Sequence, residues 1–440
     1  MATAQEILAG LERFGIRLGL GHLGELTAAL GSPEHAVPTL IVAGTNGKGS
    51  VASLLASIAG AAGLRAGLYT SPHLETPEER IRLDGAKIPP AALADLLREV
   101  LATAASLGHA SPTYFEAMTL AAFLHFARHS CDLVVLEVGM GGRLDATNLA
   151  DAALAVVTAI SLDHQEWLGS SVGAIAREKA GVMRPGRTVI VSPQPAEAFT
   201  ALAEEAGTRG AQLVEVEREV VGMQVRFRGT EGLELSLSTR RHRYELASSL
   251  AGRHQAWNVA TAVVAAEQFA RAGLPEITPA AIAGGVAACR WPGRLEALSQ
   301  PGSQTTVLLD AAHNPGGCTA LAAFLDELDR PFTLLFGALA DKDLANMLPA
   351  LAARARRVVL TRPDSARAAD PSFLASLLSP DESVTIEPEI QSALRMALGG
   401  EPGLVVACGS IFLIGAVRSL LTRNVNLAFH EGPAAEEGRL

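Results

Sequence analysis

Short β-branched or apolar runs recur along the chain at 39–43, 133–137, 155–158, 188–192, 307–310, 332–336, 357–361 and 404–407, several of them continuously apolar but for a polar residue at one end. Stretches rich in Ala and Leu separate them. A strand without a polar face must be covered on both sides, which is the condition of a parallel sheet flanked by helices. The pattern therefore predicts a doubly wound α/β architecture. At 440 residues the chain exceeds one usual domain of ~100–200 residues, so two domains are expected. The segment 212–246 changes to a period of two, as in Gln224-Val225-Arg226-Phe227-Arg228, and predicts a small antiparallel excursion. Trp291-Pro292-Gly293-Arg294 interrupts the chain before a fresh strand–helix series. The first domain is thus expected over 1–296, a smaller α/β domain over 297–425, and a flexible polar tail over 426–440.

Composition narrows the class. Hydrophobic residues make up 49% and charged residues 19%, enough apolar surface for large cores and against global disorder. A net charge of −10 argues against a nucleic-acid-binding protein, which usually carries a basic face. The four cysteines, Cys131, Cys289, Cys318 and Cys408, show no C-x-x-C spacing, so neither a zinc site nor a disulfide framework is indicated. No basic segment opens the chain as a secretory signal would. The apolar run 51–64 is short of the ~20 residues of a spanning helix, and 403–417 is broken by Gly409-Ser410. A soluble, cytoplasmic protein without membrane contact is expected.

The chemistry starts after the first apolar run. Gly44-Thr45-Asn46-Gly47-Lys48-Gly49-Ser50 joins a strand to an uncharged helix. Glycines let a backbone curl so that N–H groups point inward as an anion nest, and a helix N-terminus adds partial positive charge. Lys48 supplies a compact cation for phosphate and Ser50 a hydroxyl for magnesium. The spacing departs from G-x-x-x-x-G-K-[ST], because Val42 stands where the first glycine belongs. Gly139-Met140-Gly141-Gly142 lacks dinucleotide spacing, with Leu144 in place of the third glycine, and speaks against an oxidoreductase.

From this loop onward the chain resembles the folylpolyglutamate synthase/dihydrofolate synthase branch of the Mur ligase family. The resemblance rests on Gly44 to Ser50, Thr70-Ser71-Pro72-His73-Leu74 with Glu79-Arg80-Ile81-Arg82, and Thr113-Tyr114-Phe115-Glu116. It continues through Glu137 to Asn148, Asp163-His164, Arg177-Glu178-Lys179-Ala180-Gly181, Asn258, Pro292-Gly293-Arg294, Asp310 to Pro315, and Asp341-Lys342-Asp343. One such segment says little, but this many in a fixed order is specific.

The resemblance implies an ATP-dependent ligase that adds L-glutamate to dihydropteroate or a folate through an acyl phosphate. A monomer is expected, although nothing in the sequence fixes the oligomeric state. The resemblance also implies a P-loop domain followed by a Rossmann-like one, two magnesium ions and a monovalent cation. It assigns Ser50, Glu137 and His164 to the metal, and Lys48, His164 and Lys179 to catalysis, with Lys179 carboxylated on Nζ. The plain alternative for Lys179 is a solvated lysine. By the same resemblance ATP is held by Gly44 to Ser50, Asn258, Arg294, Asp310 and His313. The second substrate is held by Leu18, Gly19, Leu20, Gly21, Ser71, His73, Arg80, Thr113, Tyr114, Phe115, Glu116, Leu144, Asp145 and Ala146. Independently, Glu137 closes an apolar strand, where doubly wound sheets place ligand-binding groups. Three other readings stand beside this one: a cell-wall Mur-type ligase, a nucleotide-dependent switch without ligation, and a kinase that releases a phosphorylated product.

Overall fold

The computed structural model of the chain describes residues 2–15, 17, 19–299, 304–380, 382–399 and 402–423. Leu18 and the expected tail at 426–440 therefore lie outside the described residues.

Two compact units divide between Arg294 and Leu295. Glu296, placed by sequence in the first domain, pairs with Leu309 in the sheet of the second.

The first unit is built on an eight-stranded sheet. Its strands are β1 (Thr39–Ala43), β2 (Ala66–Tyr69), β3 (Ile81–Leu83), β4 (Ala86–Lys87), β5 (Leu133–Glu137), β6 (Leu154–Val157), β7 (Thr188–Val191) and β8 (Gln212–Glu215). They lie in the order β4-β3-β2-β5-β1-β6-β7-β8, with β3 and β4 antiparallel and the rest parallel. Strand β1 sits where the winding reverses, β2 falling to one side and β6 to the other. Open α/β sheets bind ligands at such a switch point.

Alternate residues of the central strands feed two cores. Ile41, Leu136 and Val157 join one layer with Leu97, Leu120 and Ile175. Leu40, Val42, Val135 and Val156 join another with Leu54, Val259 and Val263. The uninterrupted apolar runs follow from this two-sided burial.

The antiparallel excursion is a separate three-stranded sheet of β9 (Val220–Phe227), β10 (Leu233–Thr239) and β11 (Arg243–Ser248). The sequence expectation began it too early. Gln212–Glu215 pairs in parallel with β7 and closes the large sheet. Its polar character reflects an edge position, with Gln212 exposed and Leu213 and Val214 half-buried.

The second unit carries β12 (Glu296–Ser299), β13 (Thr306–Leu309), β14 (Phe332–Phe336), β15 (Arg357–Leu360), β16 (Val384–Ile386) and β17 (Leu404–Cys408), in the order β12-β13-β17-β14-β15-β16. Only β12 runs antiparallel, and helices connect the parallel strands. Gly409, at φ +102°, ends β17, and Ser410 caps the helix Ile411–Thr422 that follows. Among the described residues no helix is long and apolar enough to cross a membrane.

Candidate active site

The buried strand β1 delivers the chain to Gly44, and the helix Lys48–Ala61 leaves the far side of the loop. Glycine is required at both bends. At Gly44, φ +144°, a Cβ would lie 1.8 Å from Thr158 Oγ1, and at Gly47, φ +86°, it would lie 2.5 Å from Asn258 Oδ1. Thr45 and Asn46 both donate their backbone N–H to Ala159 O at 3.0 Å. These two amides fasten the loop to the segment after β6 rather than lining a nest, which corrects the sequence reading in part. The amides of Lys48, Gly49 and Ser50 begin the helix and have no intrahelical acceptor. No side chain caps this helix.

Charged groups converge here. Burial pushes the Lys48 ammonium below its ordinary pKa, while Glu137 and Asp163 oppose that shift. Burial raises the Glu137 carboxyl, with Lys48 the strongest opposing charge. Glu137 closes β5 in register with Val42, and its Oε2 accepts from the Ser71 N–H at 3.1 Å. Arg294, last residue of the first unit, acts electrostatically on both Lys48 and Glu137.

Lys179 is 4% exposed and donates Nζ to Gly44 O at 2.7 Å. Burial, and then the charge of Lys48, lower its pKa to about 7. A neutral amine is therefore populated near neutrality, which the uptake of carbon dioxide requires. Asp145 and Asp163 act on both lysines. Sequence reasoning assigned no role to Asp163, and its position next to His164 was the available signal.

The residues present fit a hard divalent cation. Ser50 Oγ is buried and has no hydrogen-bond partner, an orphan that a cation would satisfy. Among the described residues no three His, Cys, Asp or Glu side chains form a metal cluster. Magnesium is commonly bound in this way, by one or two protein oxygens with water and phosphate. His164 stands apart in character, its side chain 40% exposed on a backbone of φ +51° and its N–H donated to Asp163.

A second cluster gathers the expected substrate residues. Arg80 Nε donates to His73 Nδ1 at 3.0 Å, and the guanidinium lies 4.8 Å from the Tyr114 ring centroid. Burial and then Arg80 lower the His73 pKa to about 4, so the ring is neutral and accepts this bond. Thr113 and Glu116 form a capping box that starts the helix Tyr114–Arg128. Phe115 packs so close to Gly139 that a Cβ there would lie 2.6 Å from the ring. Asp145 is buried, accepting from Thr147 and from the Met140 N–H, and Ala146 opens the turn it caps. Leu144, just before it, is half-buried. On the N-terminal segment, His22 Nε2 meets Glu116 Oε1 at 3.1 Å and Arg17 donates to Ser111 O. These contacts tie the chain around Gly19, Leu20 and Gly21 to the aromatic helix, and neither Arg17 nor His22 was picked out by sequence.

Asn258 reaches the phosphate loop from the helix His254–Arg271, its amide donating to Gln255 Oε1 at 2.8 Å. Asp310 and His313 lie in the second unit, after β13. Asp310 accepts from the Leu295 and Ala312 N–H groups, and His313 Nδ1 contacts Ala311 O.

Two family models match the chain: the Mur ligase middle domain over residues 42–266 and the Mur ligase glutamate ligase domain over 293–411. A probable bifunctional folylpolyglutamate synthase/dihydropteroate synthase of Halobacterium salinarum is 35% identical over 433 residues, covering 96% of this chain and 51% of that protein. The chain thus spans about half the length of the haloarchaeal relatives it matches. The dihydrofolate synthase/folylpolyglutamate synthase of Bacillus subtilis is 32% identical over 427 residues, 95% of this chain and 98% of that one.

Among solved structures, Mycobacterium tuberculosis folylpolyglutamate synthase complexed with ADP and AMPPCP superposes with a TM-score of 0.86 at 34% identity, over 96% of this chain and 99% of that one. E. coli FolC in complex with DHPP and ADP gives 0.84 at 31%, over 96% and 98%. A bifunctional folylpolyglutamate synthase/dihydrofolate synthase with Mn, AMPPNP and L-glutamate bound gives 0.81 at 32%, over 96% and 98%. The chain belongs to the Mur ligase family, in its dihydrofolate synthase/folylpolyglutamate synthase branch.

Proposed function

We propose that this protein is an ATP-dependent ligase that joins L-glutamate to dihydropteroate and to a reduced folate through an acyl phosphate. The observation that carries the reading is the uncapped helix start at the half-buried Lys48, with the buried Glu137 carboxylate and the orphaned Ser50 Oγ on adjoining elements. The nucleotides, the DHPP, the Mn and the L-glutamate named for the similar structures support it.

In this mechanism the substrate carboxylate attacks the γ-phosphorus and ADP leaves. The glutamate amine then attacks the acyl carbon and phosphate leaves. Phosphoryl transfer of this kind needs positioning and charge neutralisation more than covalent help. The amides of Lys48, Gly49 and Ser50 hold phosphate oxygens, Lys48 offsets their charge, and Arg294 adds a second cation. Asn258, Asp310 and His313 are assigned to the nucleotide. Ser50, Glu137 and His164 would hold magnesium, two ions in all, which supplies charge neutralisation on the phosphates. A monovalent cation completes the set.

Lys179 is proposed to act as its Nζ-carbamate, which turns a cation into an oxygen donor. Tyr114, Phe115, Asp145 and the neutral His73 hold the pterin side of the substrate. The protein works as a monomer in the cytoplasm.

The deciding experiment offers dihydropteroate and tetrahydrofolate separately, each with ATP, magnesium and L-glutamate, and follows the glutamylated product. Product from both is expected. Product from the folate alone leaves a polyglutamate synthase. ADP release that ignores glutamate removes the ligase reading altogether. Phe115→Ala should lower the dihydropteroate reaction roughly ten- to hundredfold more than the folate reaction, the value of ~1–3 kcal/mol of lost aromatic contact. Equal losses would make Phe115 a core residue only.

A further inference from the structure

A cleft of about 910 Å³ lies away from the phosphate loop on the first unit, lined by one face of the helix Lys48–Ala61 and by Arg65, Arg82, Asp84, Asp132, Arg290 and Trp291. Small side chains on that helix, Ser53, Ala56, Ser57 and Gly60, leave the space open. The cleft reaches the beginnings of β2 and β5, where Arg65 and Asp132 stand, whereas the phosphate loop leaves the opposite end of β1.

The charges here are arranged for a guest. Each arginine is fastened through Nη1 to a backbone carbonyl: Arg65 to His129 at 2.9 Å, Arg82 to Gly85 at 3.2 Å, and Arg290 to Ala287 at 2.7 Å and Cys289 at 2.9 Å. None of the three forms an ion pair among the described residues. Arg82 Nε is buried without an acceptor. Glu79 attracts Arg82 from beyond pairing distance and is itself bonded to Lys87. The two acids are partly engaged, Asp132 Oδ2 by the Arg65 N–H and Asp84 Oδ1 by the Ala66 N–H, each at 2.8 Å. Three arginines against two aspartates leave a lining of net charge +1 (3 − 2) on a chain of net charge −10. Guanidinium forks held at one nitrogen keep their remaining donors fixed in space, the arrangement that binds phosphate and carboxylate.

We propose that this cleft is a second anion site, which takes a small di- or polyanion bearing phosphate or carboxylate groups. The site does not depend on the nucleotide reading. Its occupant lies against Trp291, whose other neighbour is Gly49: the indole Nε1 is 3.0 Å from where a Cβ on Gly49 would stand.

Isothermal titration calorimetry of the full chain with pyrophosphate and with citrate tests the proposal. Saturable binding of at least one is expected, retained in Lys48→Ala and weakened at least about tenfold in Arg82→Gln or Arg290→Gln, the worth of one charge-assisted hydrogen bond. Arg290 is exposed, so its variant carries the test if Arg82→Gln fails to fold. A preference for pyrophosphate names a phosphate ligand, and for citrate a carboxylate. No saturable heat, heat lost in Lys48→Ala, or unchanged affinity in both arginine variants would overturn the site.

Discussion

The helix Lys48–Ala61 and the helix Pro315–Leu328 are each 14 residues long, and each follows a strand that ends fully buried. Their turns spend backbone donors in opposite ways. After β13, Asp310 takes the Leu295 and Ala312 N–H groups, and the Asn314 side chain caps Gly317. After β1 the N-cap is Gly47, and among the described residues no side chain caps the helix and no acceptor takes its first amides. Both are strand–turn–helix units of one chain. Anion affinity therefore resides in how a turn disposes of its amides, and a self-capped turn has already used what a phosphate would need.

Lys48→Ala puts the largest strain on this contrast. ADP release should fall on the order of a thousandfold, the scale of removing a preorganised electrostatic group. Wild-type turnover would show that the Lys48 cation serves no phosphate.

The next effect is a pH dependence of a few kcal/mol at Lys179. Its pKa is about 7 in the folded chain against an ordinary 10.5. Between those values the unfolded chain holds a proton that the folded chain has released, so stability rises with pH across that window. Lys179→Met should lack this rise when urea midpoints are compared from pH 6 to 10 in carbonate-free buffer. Parallel profiles for the two proteins would mean that Lys179 is not held neutral.

Glycine substitutions sharpen the comparison on a smaller scale. Gly47→Ala places a methyl at φ +86° against Asn258 and should cost about 1–3 kcal/mol, with weaker nucleotide binding. Gly317→Ala meets its nearest neighbour at 3.3 Å in a helical backbone and should stay within about 1 kcal/mol of the parent. Equal effects in thermal unfolding would dissolve the difference between the turns. Asn314→Ala should cost the second unit about 1 kcal/mol, the value of an N-cap. An unchanged melting profile would show that this turn does not rely on its cap.

Much of this was legible in the residues, because two-sided burial writes itself as continuous apolar runs. Strand β2 is hidden in the sequence because Ala66-Gly67-Leu68-Tyr69 is a weak strand signal. Gly67 is small for a tertiary reason, since a Cβ there would sit 2.7 Å from Phe126. The edge strand at Gln212 looks like part of the excursion in sequence because half-exposure imitates alternation. Among site residues, Lys48, Ser50 and Glu137 announce themselves by position at strand and helix ends. Asp163 does not, as its relation to Lys48 and Lys179 exists only once β6 lies beside β1. The fate of the Thr45 and Asn46 amides was equally invisible, being settled by a carbonyl more than a hundred residues away.

That shared carbonyl, Ala159 O, has a kinetic meaning. With two amides anchored to it, and with Lys48 Nζ turned back onto Thr45 O at 3.1 Å, the curve of the loop is held by the protein's own bonds. On the proposed function, a nucleotide meets a loop whose curve is already bonded and loses little affinity to ordering the chain. On that same proposal, its capture waits on diffusion and charge rather than on a loop closing. A chain that stopped short of β6 would carry every letter of the motif and none of its grip.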